Sequence, residues 1–131
     1  MHRTSLLIVT ALSEGGTGLF LVIWPPVPLA LLLGVKQPSP EALPCARVAG
    51  AALVALGVTC WFGRFDKRSP TQFGLLTGVL TYDVAAAVIL AYTGLFMKLL
   101  GIALWPAVLV HAALAVWCVV CIWDVSERPT A

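Results

Sequence analysis

Four apolar stretches, at residues 5–24, 45–65, 71–92 and 102–123, leave this chain few ways to fold. Each is long enough to cross the ~30 Å hydrocarbon core of a bilayer as a helix, which takes about 20 residues at ~1.5 Å apiece. The expected architecture is all-α: a four-span transmembrane helical bundle, one domain over residues 1–131. A soluble domain is about 45–50% apolar and about 25% charged. This chain is 60% hydrophobic and 11% charged, with a mean hydropathy of +0.98, too few charges to cover a soluble surface. The net charge of +2 is small and dispersed, and no basic stretch is interleaved with aromatics, so nucleic acid is excluded as a partner.

The segments between the stretches set the order of the bundle. His2 and Arg3 followed by an apolar run imitate a secretory leader. The run from Leu6 to Trp24 exceeds a leader's apolar region of about 7–15 residues, lacks an Ala-x-Ala exit and ends in Trp24-Pro25-Pro26, so it is read as a retained span. Pro25, Pro26 and Pro28 stop that helix, because proline lacks an N–H and clashes with the preceding turn. Leu29 to Val35 is apolar but too short to cross, and is expected to form an interfacial or re-entrant turn. The second span is rich in small residues, among them Ala46, Gly50 and Gly57, and the third carries Gly74 and Gly78 four apart. Such positions let helix backbones approach closely and mark packing faces. Basic residues set orientation: Arg3, Arg64, Lys67, Arg68 and Arg128 fall on one side, Lys36, Lys98 and Arg47 on the other. Both termini are thus expected in the cytoplasm, with Trp24, Trp61, Trp105 and Trp123 near span ends as an aromatic belt.

Three ionisable residues interrupt the apolar spans at matched depth: Glu14, Asp83 and His111. A charge at the bilayer centre costs about 2.5–3.5 kcal/mol on insertion scales, so each needs a partner, a proton or a purpose. Glu14 shares a helix face with Thr10, Thr17 and Gly18, His111 shares one with Ala107, Ala115 and Cys118, and Asp83 adjoins Tyr82. Three small-residue faces can therefore converge on one polar pocket, with Glu14, Asp83 and His111 as candidate catalytic residues and Tyr82, Thr17 and Arg47 as further ligand-binding candidates. The alternative is that the three satisfy one another and only staple the helices. Arg47, one turn into the second span, either snorkels to the interface or pairs with Glu14 or Asp83.

Other chemistry is thinner. Cys118-Val-Val-Cys121 matches Cys-x-x-Cys but lies in an apolar helix, without the strand-to-helix setting of a thioredoxin motif and without the second pair that a quinone-linked thiol oxidoreductase would carry. One histidine with two carboxylates suits several divalent metals, but the usual non-haem iron triad has two histidines, so no metal or other cofactor is expected; a metal at Glu14, Asp83 and His111, or a quinone, stays as an alternative. No nucleotide-binding loop, nucleophile elbow or His-Glu-x-x-His pattern occurs, and Gly15-Gly16-Thr17-Gly18 sits mid-span, where it serves helix packing.

Taken together, Thr17-Gly18-Leu19-Phe20, Trp24-Pro25, the short apolar segment Leu29 to Gly34, Arg47-Val-Ala-Gly50 and Ala51-Ala-Leu-Val-Ala-Leu-Gly57 resemble the DoxX-like group of small bacterial four-helix membrane proteins. That resemblance implies a bacterial inner-membrane protein, and for some members an accessory subunit beside redox enzymes and quinone chemistry. It does not cover Glu14, Asp83 or His111. Two buried carboxylates in four spans also look somewhat like sterol-isomerase and sigma-2-type bundles, and a first-span glutamate like the small multidrug exporters, though no motif matches and the Pro-rich first loop differs. The expected function is a non-catalytic accessory subunit or lipophilic-ligand-binding bundle, homo-oligomeric or docked in a larger membrane complex. A proton-coupled transporter using Glu14 and Asp83 is the first alternative. A membrane enzyme on a quinone or isoprenoid-like substrate, with His111 and Glu14 as acid and base, is the second.

Overall fold

A computed structural model describes residues 2–66 and 69–126, so Lys67, Arg68 and Arg128, part of the orientation argument, lie outside the described residues. Five helices follow in order: α1 (His2–Ile23), α2 (Pro26–Leu33), α3 (Ala42–Gly63), α4 (Pro70–Leu95) and α5 (Leu104–Ser126). Helices α1, α3, α4 and α5 are long and apolar enough to cross a membrane, and the protein is a multi-pass membrane protein of the expected all-α class. Large apolar side chains such as Leu12, Val48, Val88, Leu109 and Val116 are exposed around the outside. Hydrocarbon, unlike water, imposes no cost on that surface.

The helix ends follow local chemistry. Ser69, extended at the start of α4, accepts a hydrogen bond from the Gln72 N–H through its hydroxyl, and Pro70 occupies the first position, where a missing N–H costs nothing. The three prolines expected to stop α1 do more than that. Pro26 and Pro28 form the first turn of α2, again where no intrahelical N–H bond exists to lose. The expected segment at Leu29–Val35 is thus a full short helix. It ends at Gly34, whose left-handed backbone (φ +71°) returns its N–H to the Ala30 carbonyl. Before α3, the exposed Glu41 carboxylate is held below its ordinary pKa by its own backbone N–H and by the Ser39 hydroxyl.

The long helices associate as two pairs: α1 packs on α3 and α4 on α5, with few contacts between the pairs. Glycine makes the first pair close. A Cβ on Gly18 would stand 2.6 Å from the Gly50 carbonyl oxygen, and one on Gly50 would stand 2.7 Å from that of Gly18. One turn pair further along, a Cβ on Gly57 would meet the Gly15 backbone and the Ala11 carbonyl at 3.0 Å. The two backbones therefore touch directly, which supplies packing where lipid provides no hydrophobic drive. The third-span pair corrects the expectation: a Cβ on Gly74 or Gly78 would meet nothing within 4 Å, so these glycines make no close helix contact within the chain.

Side-chain size divides the bundle across its middle. Leu6, Leu7 and Ala11 of α1, Cys60 of α3, Leu76 and Val79 of α4, and Leu114, Cys118 and Cys121 of α5 fill one half. In the other half Gly16, Ala49, Ala86 and Ala107 of the four long helices, with Ala103 just before α5, stand among larger apolar residues such as Phe20, Leu53 and Leu90, and an ~890 Å³ cavity remains between the pairs. Helix α2 roofs it with Val27, Pro28, Leu31 and Leu32. The roof is tied down by main-chain bonds, because the Gly101 and Ala103 N–H groups donate to the Leu32 and Leu31 carbonyls at 3.2 and 2.8 Å. Those carbonyls are end-of-helix acceptors with no partner inside α2. The fit requires glycine, since a Cβ on Gly101 would lie 2.1 Å from the Leu31 oxygen.

Candidate functional site: a polar floor beneath an intramembrane cavity

Glu14, Asp83 and His111 meet where the filled half gives way to the hollow one. In chain order each adjoins a core residue on its own helix face: Ala11 precedes Glu14, Val79 precedes Asp83 and Leu114 follows His111, all buried. The helical spacing of three or four residues carries each face from the packed core to the cavity floor. One ligand-type atom from each of the three lies within 4.8 Å of the others.

Their contacts form two links. Asp83 Oδ1 and His111 Nδ1 stand 2.9 Å apart, joining α4 to α5 within a pair. The Tyr82 hydroxyl donates to Glu14 Oε2 at 3.0 Å, joining α4 to α1 across the two pairs. At the filled end a second link crosses the pairs, where the Arg3 guanidinium donates to the Gln72 side-chain oxygen. The Ser13 hydroxyl lies 3.4 Å from Glu14 Oε1, and the Tyr82 and His111 rings meet edge to face at 5.6 Å. Exposure separates the roles. Glu14, Tyr82 and His111 line the cavity, whereas Asp83, 0% exposed, stands behind His111. Asp83 Oδ2 and the Thr10 hydroxyl are buried without a hydrogen-bond partner.

Most of the expected site residues are brought together. Thr17 lines the cavity one turn from Glu14. Arg47 does not join: its side chain is exposed, it is not among the cavity-lining residues, and no described ion pair reaches it. The reason is angular. Ala46 and Gly50 form the buried face of α3, and Arg47 follows Ala46 by one residue, about 100° round the helix. The Cys118-Val-Val-Cys121 pair is likewise separate from the site, with neither cysteine in a disulfide and both buried in the packed half. Ser13 and the α2 roof were not anticipated as parts of the site. Adjacency to Glu14 was the available signal for Ser13, while the roof depends on contacts distant in sequence.

The fold and the site define a multi-pass membrane bundle whose apolar cavity ends on a carboxylate, a phenol and an imidazole. No family model matches this chain, and neither the curated proteins nor the solved structures contain a match.

Proposed function

We propose that this protein binds a lipophilic small molecule within the membrane, its hydrocarbon body in the cavity and its polar head on Glu14, Tyr82 and His111. The observation that carries the reading is the asymmetry of the bundle: one half packed, the other hollow over ~890 Å³, with the polar cluster at the boundary. Ligand sites of about 300–1,000 Å³ are lined mainly by apolar groups with a few placed polar ones. Two helices that only needed stapling would not leave such a volume unfilled, since packing is the main source of helix association in lipid. The resemblance to DoxX-like proteins supports an inner-membrane accessory subunit with both termini in the cytoplasm. Arg3 and Arg64, at the packed end, and Lys36 and Lys98, at the roofed end, are among the charges behind that orientation.

The test is direct. Native mass spectrometry of protein released gently from its membrane should show a bound lipophile, and Ala107→Phe, which fills the cavity one turn above His111, should weaken its retention at least tenfold. Equal retention in wild type and variant would overturn the reading. One observation favours a second reading, proton-coupled transport: the Tyr82–Glu14 bond is the described side-chain hydrogen bond that crosses the two helix pairs at mid-depth. That reading expects pH-gradient-driven flux in proteoliposomes, abolished by Glu14→Gln.

A further inference from the structure

The geometry points to a divalent metal site at the cavity floor, with Glu14, Asp83 and His111 as its ligands. The three come from three different helices, and their donor atoms lie within 4.8 Å of one another. Ligands of an ion at ~2.1 Å stand about 3.0–3.6 Å apart, so side-chain rotation of about 1 Å would close the set on a metal. The cluster alone would not carry the assignment. The second observation is an orphan: Asp83 is 0% exposed, yet its Oδ2 has no partner, and an unpaired buried carboxylate oxygen is among the costlier groups a fold can hold. A cation held by the three side chains would give that oxygen the partner it lacks.

Charge leads to the same place. Two ionised carboxylates and one neutral imidazole sum to −2, which a divalent ion cancels at a depth where uncompensated charge is expensive. The described lysines and arginines supply no ion pair to either carboxylate; the described ion pair there is with His111 itself. When the ion binds through His111 Nδ1, the proton between that nitrogen and Asp83 Oδ1 leaves to solvent from an imidazolium, or passes to Nε2 from a neutral ring, so the imidazole ends neutral with Nε2–H in either case; any proton on Glu14 leaves to solvent. Carboxylate oxygens with one imidazole nitrogen suit manganese(II), iron(II) or zinc(II) rather than a soft copper(I) ion, for which the thiols of the packed half would be the better donors. Tyr82, which donates to Glu14 Oε2, would orient that ligand without binding the ion. Because Glu14 and His111 also line the cavity, the coordination sphere stays open on that side. A cavity occupant with an oxygen donor would complete it, as substrates do at metal sites with three protein ligands. That last step rests on the cavity being a ligand site; the metal assignment does not.

The experiment uses the full chain in mild detergent, stripped with chelator and reloaded with Mn2+, Zn2+ or, as a spectroscopic probe, Co2+. Elemental analysis after desalting should find about one ion per chain in the wild type. Glu14→Gln, Asp83→Asn and His111→Ala should each weaken retention at least tenfold, while a Cys118→Ser/Cys121→Ser double variant should bind as wild type. Should a ligand variant fail to fold, the wild-type Co2+ spectrum decides: bands of an oxygen–nitrogen site support the assignment, and thiolate charge-transfer bands overturn it. No ion in the wild type, or full retention in folded Glu14→Gln and Asp83→Asn, also overturns it. Lipophile retention by the stripped protein is measured in parallel: retention without any metal binding removes the metal site alone, and loss of both removes the cavity reading as well.

Discussion

Gly50→Ala tests how the bundle is held together. The new Cβ would stand 2.7 Å from the Gly18 carbonyl oxygen, 2.7 Å from Leu21 Cβ and 3.0 Å from the Val22 backbone nitrogen. Two of those atoms belong to backbone and cannot rotate away. Carbon atoms rest at about 3.5–4.0 Å, so α1 and α3 must separate by about 1 Å, and a gap of 0.5–1 Å forfeits about a quarter to a half of each contact's attraction along the seam. Overpacking of this kind costs about 1–3 kcal/mol, and alanine returns up to about 1 kcal/mol through its better helix propensity. The expected net loss is about 1–2 kcal/mol. Gly74→Ala and Gly78→Ala are the matched controls, because a Cβ at either meets nothing within 4 Å. Each should leave stability unchanged or raise it by up to about 1 kcal/mol. Reversible unfolding in mixed SDS–detergent micelles, followed by tryptophan fluorescence, reads all three. A Gly50→Ala protein as stable as wild type would refute the close-contact account. Losses at Gly74 and Gly78 equal to that at Gly50 would refute the claim that the α4 pair is unused within the chain.

Tyr82→Phe removes the mid-depth bond between the helix pairs and should lower stability by about 0.6–2 kcal/mol in the same assay, a span set by measured interhelical bonds in membranes and by the penalty of a buried unpaired acceptor. Lys98 holds φ +57° in the connector after α4, a left-handed conformation that costs a side chain about 1–2 kcal/mol, so Lys98→Gly should raise stability by about 0.5–1 kcal/mol, measured as a shift in unfolding midpoint. Gly101→Ala should loosen the α2 roof, because its Cβ would overlap the Leu31 and Leu32 backbone; faster exchange of the backbone amides at positions 101 and 103 is the expected readout. Cys45 is exposed near the roofed end, whereas Cys60, Cys118 and Cys121 are buried. A membrane-impermeant maleimide should therefore label Cys45 from outside intact cells and spare the other three until the protein unfolds; labelling only after lysis would reverse the proposed orientation.

Much of the candidate site was legible before the tertiary structure was considered. Ionisable side chains stand out in an apolar span because hydrocarbon penalises them, so Glu14, Asp83 and His111 were conspicuous. Counting at a fixed rise per residue placed them at one depth, because a helix in a bilayer has little freedom in length. Arg47 was ambiguous for the same reason. It lies close enough to a span end to face either way, and only the buried face of α3 decided that it points outward. The two glycine pairs show the opposite limit. Gly74 and Gly78 have the spacing of a close contact, yet Gly18 and Gly50 make one, since spacing along one helix does not say which helix comes to meet it.

The sequence by itself determined the class of the protein: four spans, their order and the depth of three polar groups follow from apolar length and the cost of charge in lipid, both properties of each segment alone. Tertiary structure decided what those groups do for one another. It set Asp83 behind His111 and Glu14 against Tyr82, left the Asp83 Oδ2 oxygen unpaired, and opened a cavity roofed by α2 above them. These depend on how two helix pairs approach, and that approach is governed by side-chain volumes at facing positions far apart in the chain.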